Sequence, residues 1–214
     1  GRAGRPRPSV AAKLRQSARC VRTISELVGA PAADDPSPAL RMLDVGCGKG
    51  YLTFAAHAWL ADAGYRVETT GVELRPALCQ EIEGIARRLG PRFDGLHFEA
   101  GDINQIGSII GGAADEVESI DVLVALHACD TATDDAIWQG ISRRARVLAL
   151  APCCHKQVRR QLENVAHSGH AVGPMLRHAT YRERMAEMLT DAARVLLLEM
   201  AGYDVRLFEF VGGE

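Results

Sequence analysis

Aromatic side chains are scarce, at 5% of the 214 residues, with only two tryptophans. A single-strand nucleic-acid platform stacks successive bases on aromatic faces, so this composition argues against one. Long apolar runs are missing too. No stretch approaches the roughly 18 apolar residues of a membrane span, and the opening GRAGRPRPSV holds no apolar segment of the secretory kind. The expectation is a cytoplasmic protein with no membrane partner. Cysteine is sparse and irregularly spaced: Cys20, Cys47, Cys79, Cys129, Cys153 and Cys154 do not make a disulfide framework in a chain of this length. They read as reduced thiols.

What is present describes an ordinary globular domain, 47% hydrophobic and 24% charged. Such a chain buries about 70% of its unfolded surface around one core. The net charge of −2 hides an asymmetry, because residues 1–25 carry seven of the 25 basic residues and none of the 27 acids. A basic arm on an acidic body can meet a phosphate backbone or can be a solvated leader. Residues 1–30 are therefore set apart as a basic leader and N-terminal helix, and 39–214 as the main domain.

Hydrophobic periodicity then alternates strand with helix. Ser9 is a candidate cap for a helix with Val10, Leu14, Val21, Ile24 and Val28 at helical spacing. Short apolar runs at 39–45, 67–74, 95–100, 120–126 and 145–151 read as strands covered on both faces. Between them lie helices at 49–61, at 76–89 with Pro76 in the first turn, and from Thr131 onward. A short helix at 157–164, a loop, a helix at 181–200 and a strand at 203–211 complete the reading. The apolar stripe Met185, Met188, Leu189, Ala192 and Leu196 is expected in the core, as are Trp59 and Trp138. The pattern is a doubly wound α/β domain, mostly parallel, with helices on both faces and its ligand at the carboxyl ends of the strands.

Between the first strand and its helix stands Asp44-Val45-Gly46-Cys47-Gly48-Lys49-Gly50. Alternating glycines let the backbone turn tightly and approach a ligand closely. A dinucleotide fingerprint counted from Gly46 fails at Tyr51, and a P-loop fails because Gly50 follows Lys49. Glu73 ends the second strand, where a carboxylate takes ribose hydroxyls. Asp102 follows the third, placed to accept from an adenine amino group. Three carboxylates around one crevice suit a cationic ligand without phosphate, a description that S-adenosylmethionine meets.

These segments, with Gly71-Val72-Glu73 and Gly101-Asp102, resemble the successive cofactor motifs of class I S-adenosylmethionine-dependent methyltransferases. The resemblance covers roughly residues 40–165. It implies a Rossmann-like fold and a cofactor site of Asp44, Gly46, Cys47, Gly48, Gly50, Glu73, Leu74, Asp102, Ile103 and Leu126. It also implies that the fourth and fifth strand ends face the reactive methyl, where His127-Ala128-Cys129-Asp130 and Cys153-Cys154-His155 stand. These last segments depart from the signature of adenine amino-methylases. They resemble the methyltransferase domains of glutathione S-transferase C-terminal-domain-containing proteins and bacterial relatives, a resemblance that implies RNA as a candidate substrate and defines none.

Three chemistries are open for His127, Cys129, Asp130, Cys153, Cys154 and His155. A cysteine thiolate can add to a pyrimidine, activated by a helix N-terminus or by His155 and Lys156. His127 or Asp130 can instead take a proton from an oxygen or nitrogen nucleophile. Zinc is the third, disfavoured because adjacent Cys153 and Cys154 point to opposite faces if extended and no C-x-x-C pair exists. Purely structural packing is the bland alternative, and the expectation is no metal. Lys13 and Gln16 are candidate lid residues over the crevice, and Tyr181 and Arg182 candidate substrate contacts. The acceptor is left open between RNA, slightly favoured by the basic leader, and a small molecule or protein, or a silent cofactor-binding module. Only one strand follows the fifth, so the sheet is expected to be one closing strand short.

Overall fold

The computed structural model describes residues 8–31, 39–106, 119–126 and 128–209. Five parallel strands form one sheet in the order β3-β2-β1-β4-β5: β1 (Leu40–Val45), β2 (Val67–Glu73), β3 (Leu96–Ala100), β4 (Val122–Leu126) and β5 (Val147–Ala151). The helices are α1 (Pro8–Val28), α2 (Tyr51–Asp62), α3 (Pro76–Arg88), α4 (Thr131–Ser142), α5 (Lys156–Ala166), the single turn α6 (Gly173–Leu176) and α7 (Ala179–Met200). Strand order reverses between β1 and β4, which opens a crevice beyond their carboxyl ends. The Rossmann-like doubly wound sheet read from the sequence is the fold. No described helix is long and apolar enough to cross a membrane.

Period-two alternation assigns the faces. Leu40 and Met42 of β1, with Val122 and Val124 of β4, pack against Cys20, Val21 and Ile24 of α1 and Leu52, Ala56 and Leu60 of α2. The intervening Leu43 and Val45 pack on the other face with Leu123, Ala125 and Ala136 of α4. Each fully buried aliphatic side chain contributes about 1.5–3 kcal/mol, so both faces hold the sheet. Parity carries one further consequence: Asp44 shares a face with Leu40 and Met42, and its carboxylate looks toward α1 and α2. The third helix, α3, begins with Pro76 and ends with Arg87 and Arg88, both favourable to the helix dipole.

Several expectations are corrected. On α4 the buried positions are Thr133, Ala136, Ile137 and Gly140, so Trp138 lies about 100° off that stripe and is 67% exposed. Trp59, next to buried Leu60 on α2, is also exposed. On α7 the buried residues are Ala186, Arg194 and Leu198. Burying that Arg194 face turns Met188, Leu189 and Leu196 outward, so they are not core. Residues 203–209 form no strand, because no strand among the described residues offers them a ladder. The remainder of the expected strand, 210–211, lies outside the described residues. The loop expected after α5 contains the turn of α6.

Gly71 on β2 shows how tightly the sheet is covered. A Cβ there would stand 2.6 Å from a ring carbon of Phe98, whose ring is tilted against Phe54 at 5.2 Å. Gly71→Ala is expected to lower unfolding free energy by about 1–3 kcal/mol in urea denaturation, the cost of overpacking a filled core. The double variant with Phe98→Leu should recover part of that loss.

Candidate functional site

Beyond the carboxyl ends of β1, β2 and β4 lies a cleft of about 700 Å³. Its floor is the glycine loop, which the tip of β2 holds in place. The Val72 carbonyl accepts from the N–H groups of Gly46 (2.9 Å) and Cys47 (3.0 Å), and Glu73 Oε2 accepts from Gly48 N–H (3.1 Å). Gly50 N–H donates back to Cys47 O. A phosphate cradle needs such N–H groups aimed at the ligand. Here all four are committed within the protein, and a carboxylate sits among them. Gly50 itself adopts φ 70° as the N-cap of α2, and a Cβ on it would meet Phe54 and Phe98 at 3.1–3.2 Å. It shapes the loop from behind and does not line the cleft, unlike Gly46, Cys47 and Gly48.

The three carboxylates differ in state. Asp44 is almost fully buried, and desolvation pushes its carboxyl up to about 7 despite a 2.6 Å hydrogen bond from Thr53 Oγ1. It is a counter-charge held in reserve. For Glu73, burial alone would raise the carboxyl. Hydrogen bonds from the Arg75 side chain (2.7 Å) and backbone (3.1 Å), the Arg75 charge and Gly48 N–H outweigh it and hold Glu73 below the usual range. Asp102 is exposed on the cleft wall, and its Oδ1 accepts from Asn104 N–H at 2.9 Å, capping a short turn. Leu74, Ile103 and Leu126 add apolar wall. Every cofactor-site residue read from the sequence except Gly50 faces the cleft.

Helix α1 roofs this cleft. Lys13, Gln16 and buried Ser17 line it, and Cys20, one turn on, is close enough to Asp44 for the two to interact. Burial and that acid push the Cys20 thiol up to about 12. Burial, with Asp44 and Glu73 nearby, pushes the Cys47 thiol up further, so both are packing groups at neutral pH.

At the far end of the cleft the β4–α4 and β5–α5 loops meet. Cys129 lines the cleft, with its Sγ 2.9 Å from Cys153 Sγ, and Cys154 Sγ lies 3.7 Å from Cys153 Sγ. All three sulfurs lie within 4.8 Å of one another. The expectation that Cys153 and Cys154 diverge is corrected: both lie past the end of β5 at Ala151, and their sulfurs stand 3.7 Å apart. Partial desolvation and the two neighbouring thiols push the Cys153 thiol up to about 12.

Asp130 is a staple rather than a base. Its Oδ1 accepts from Gln157 N–H (3.1 Å), its N–H donates to Cys154 O (3.2 Å), and its carbonyl accepts from buried Arg194 (2.9 Å). It does not line the cleft. His155 is buried beside the thiols with Nδ1 unpartnered. His127 lies outside the described residues. Tyr181 and Arg182 stand away from the cleft; Arg182 donates to the carbonyls of Leu176 and Arg177 and pairs with Glu163 at 3.6 Å.

Sequence reasoning missed Ser17, Thr53, Arg75, Asn104 and Asp135. Thr53 falls seven residues before the end of buried α2 helix residue Leu60 on the same side, a helical spacing that could have flagged it. Arg75 is local to Glu73, two residues before it, whereas Ser17 and Asp135 are brought to the cleft by elements distant in sequence. Asn104 Nδ2, for example, donates to Asp135 of α4 at 3.3 Å.

Comparison with known proteins agrees with this geometry. Residues 12–161 match the family described as "Methyltransferase domain". Similar solved structures include YjhP from E. coli (22% identity, TM-score 0.34, 53% of this chain and 37% of that one). YcgJ from Bacillus subtilis is another (17%, TM-score 0.40, 59% and 44%). A third is a coclaurine N-methyltransferase bound to N-methylheliamine and SAH (17%, TM-score 0.38, 59% and 30%). The chain thus spans less than half the length of each. A comparison with curated protein sequences finds no match. Family match, parallel sheet and cleft at the strand reversal lead to one assignment: the chain belongs to the methyltransferase-domain family.

Proposed function

We propose that the chain binds S-adenosylmethionine in the β1–β4 cleft and directs its methyl group to an anionic acceptor, RNA. The observation that carries the cofactor is the donor set: three carboxylates and no uncommitted N–H among Gly46, Cys47, Gly48 and Gly50. Such a set fits a ligand with cationic and hydroxyl groups and repels phosphate. Bound there, the cofactor supplies a methyl group on an electrophilic sulfonium. Glu73 would accept from ribose hydroxyls, Asp102 from an adenine amino group, and Asp44 would balance positive charge. Leu74, Ile103 and Leu126 would exclude water from the ring and the sulfonium.

For the acceptor, support comes from α1. Arg15, Arg19 and Arg22 are exposed along the outer face of the helix that roofs the cleft and Lys13 is exposed on its cleft side, so a polyanion that wraps α1 can place one residue at the opening. The Cys129-Asp130 and Cys153-Cys154-His155 motifs resemble those of the glutathione S-transferase C-terminal-domain-containing group, which adds to the RNA reading. Cysteines in thiol form fit a reducing compartment such as the cytoplasm. With Asp130 committed to the loops and off the cleft, positioning of the acceptor is the chemistry we assign to the site.

Calorimetry with S-adenosylhomocysteine tests the cofactor. Glu73→Ala removes charge-assisted hydrogen bonds and should weaken binding by about 10–100-fold; unchanged affinity, or no heat with the parent chain, sinks the assignment. The Asp44 carboxyl supplies a pH signature. Because it titrates near 7 and the ligand needs it ionised, affinity should fall below that pH by up to about tenfold per unit. Asp44→Asn should flatten the profile. For the acceptor, tritium transfer from labelled cofactor is measured into total RNA, protein and small-molecule fractions. Label in RNA is expected, with binding that weakens with salt at a log–log slope of about −3 for four phosphate contacts. Label confined to small molecules would remove RNA, and no label anywhere would leave a cofactor-binding module.

A further inference from the structure

We propose that Cys129, Cys153 and Cys154 form a three-thiolate site for one Zn²⁺ ion at the end of the cofactor cleft, with a fourth coordination position open to solvent. The three sulfurs come from two separate loops yet lie within 4.8 Å of one another. Tetrahedral zinc–thiolate geometry, with Zn–S near 2.3 Å, separates its sulfurs by about 3.8 Å. The Cys153–Cys154 separation of 3.7 Å already matches. The Cys129–Cys153 pair, at 2.9 Å, opens by about 1 Å through rotation of two exposed side chains.

The protein holds this arrangement at a cost. Asp130, next to Cys129, has φ 58° and ψ −127°, a backbone state that a side chain rarely adopts. Asp130 N–H to Cys154 O, Gln157 N–H to Asp130 Oδ1 and the Arg194 hydrogen bond to Asp130 O maintain it. Each link fixes one cysteine-bearing loop to the other or to α7. A structural pair of thiols would not need a third sulfur brought to the same point. Two helices, α4 and α5, also begin within three residues of the cysteines, and their N-terminal ends favour the thiolate forms that a cation requires.

Thiolates select a soft ion such as zinc over magnesium or calcium. Among the described residues no fourth His, Cys, Asp or Glu donor joins the three within that distance. Cys129 and Cys153 are exposed and Cys129 lines the cleft, so water or a donor atom of an incoming acceptor takes the fourth position. Three protein ligands and one open position are the arrangement of catalytic rather than structural zinc.

The test does not use methyl transfer, so it stands or falls separately from the proposed function. The reduced full chain is titrated with Co²⁺, then with Zn²⁺ under native mass spectrometry. One equivalent is expected, with sulfur-to-cobalt charge-transfer absorption that Zn²⁺ abolishes. Cys153→Ser should weaken Zn²⁺ binding by more than the roughly 10–100-fold that loss of an outer partner costs, whereas Cys20→Ser and Cys79→Ser should keep one equivalent. If Cys153→Ser does not fold by circular dichroism, zinc-edge X-ray absorption of the parent chain decides, with three sulfur neighbours expected. No stoichiometric binding, zinc retained in folded Cys153→Ser, or fewer than three sulfurs overturns the site. So does a Cys129–Cys153 disulfide that forms in air and proves the cluster's only chemistry, with no metal taken up after reduction.

Discussion

The site depends on the grip of β2 on the glycine loop. Val72 accepts two of the loop's N–H groups through its carbonyl and Glu73 accepts a third through its carboxylate. This single arrangement has two effects. It uses the donors that would otherwise attract phosphate, and it fixes a carboxylate at the cleft edge with its charge sustained by Arg75. The same loop on a strand end without an acid would release the Gly48 N–H alone, since Gly46, Cys47 and Gly50 donate to backbone carbonyls, and would lose the negative charge at the cleft edge. The residue that closes β2 thus adds a charge that the glycines alone do not supply.

Asp44 belongs to the same logic from the other side. Burial raises its carboxyl from 3.8 to about 7, so the folded chain retains a proton that the unfolded chain has already released. Across that interval stability falls as pH rises, by an amount on the order of a few kcal/mol at neutral pH and above. A cation bound beside Asp44 offsets this cost by making the ionised form favourable. The chain therefore carries a local instability at Asp44, one that the proposed cationic ligand would relieve.

The fold was legible where periodicity is local. Parallel strands announced themselves as short apolar runs, and Glu73 and Asp102 could be placed because one closes a strand and the other stands two residues past one. Reading failed where a tertiary partner decides. The α7 stripe looked like core because Met185, Met188, Leu189 and Leu196 keep helical spacing, yet a single charged residue, Arg194, takes the inward face. Its Nε and Nη2 bind Asp134 and the carbonyl of Asp130, and no pattern within α7 reports partners sixty residues away. The divergence expected of Cys153 and Cys154 failed for a related reason. Alternation holds only inside a strand, and β5 ends before both. For residues 203–209, an apolar alternation without a neighbour to pair with is not a strand.

Arg194 also explains why the two ends of the site cannot be treated as independent. It is buried, holds the first turn of α4 through Asp134, and holds the strained Asp130 carbonyl that precedes it. Cys129 adjoins that residue and lines the cofactor cleft. On the opposite wall, Asn104 follows Asp102 and bonds to Asp135, the neighbour of Asp134 on α4. The first turn of α4 is therefore tied to the Asp102 wall of the cleft through Asp135 and to the thiol cluster through Asp134 and Asp130. A shift of that turn moves both, because each contact is a short bond to a rigid element. The Asp102 wall of the cleft and the thiol cluster thus share one anchor, the first turn of α4.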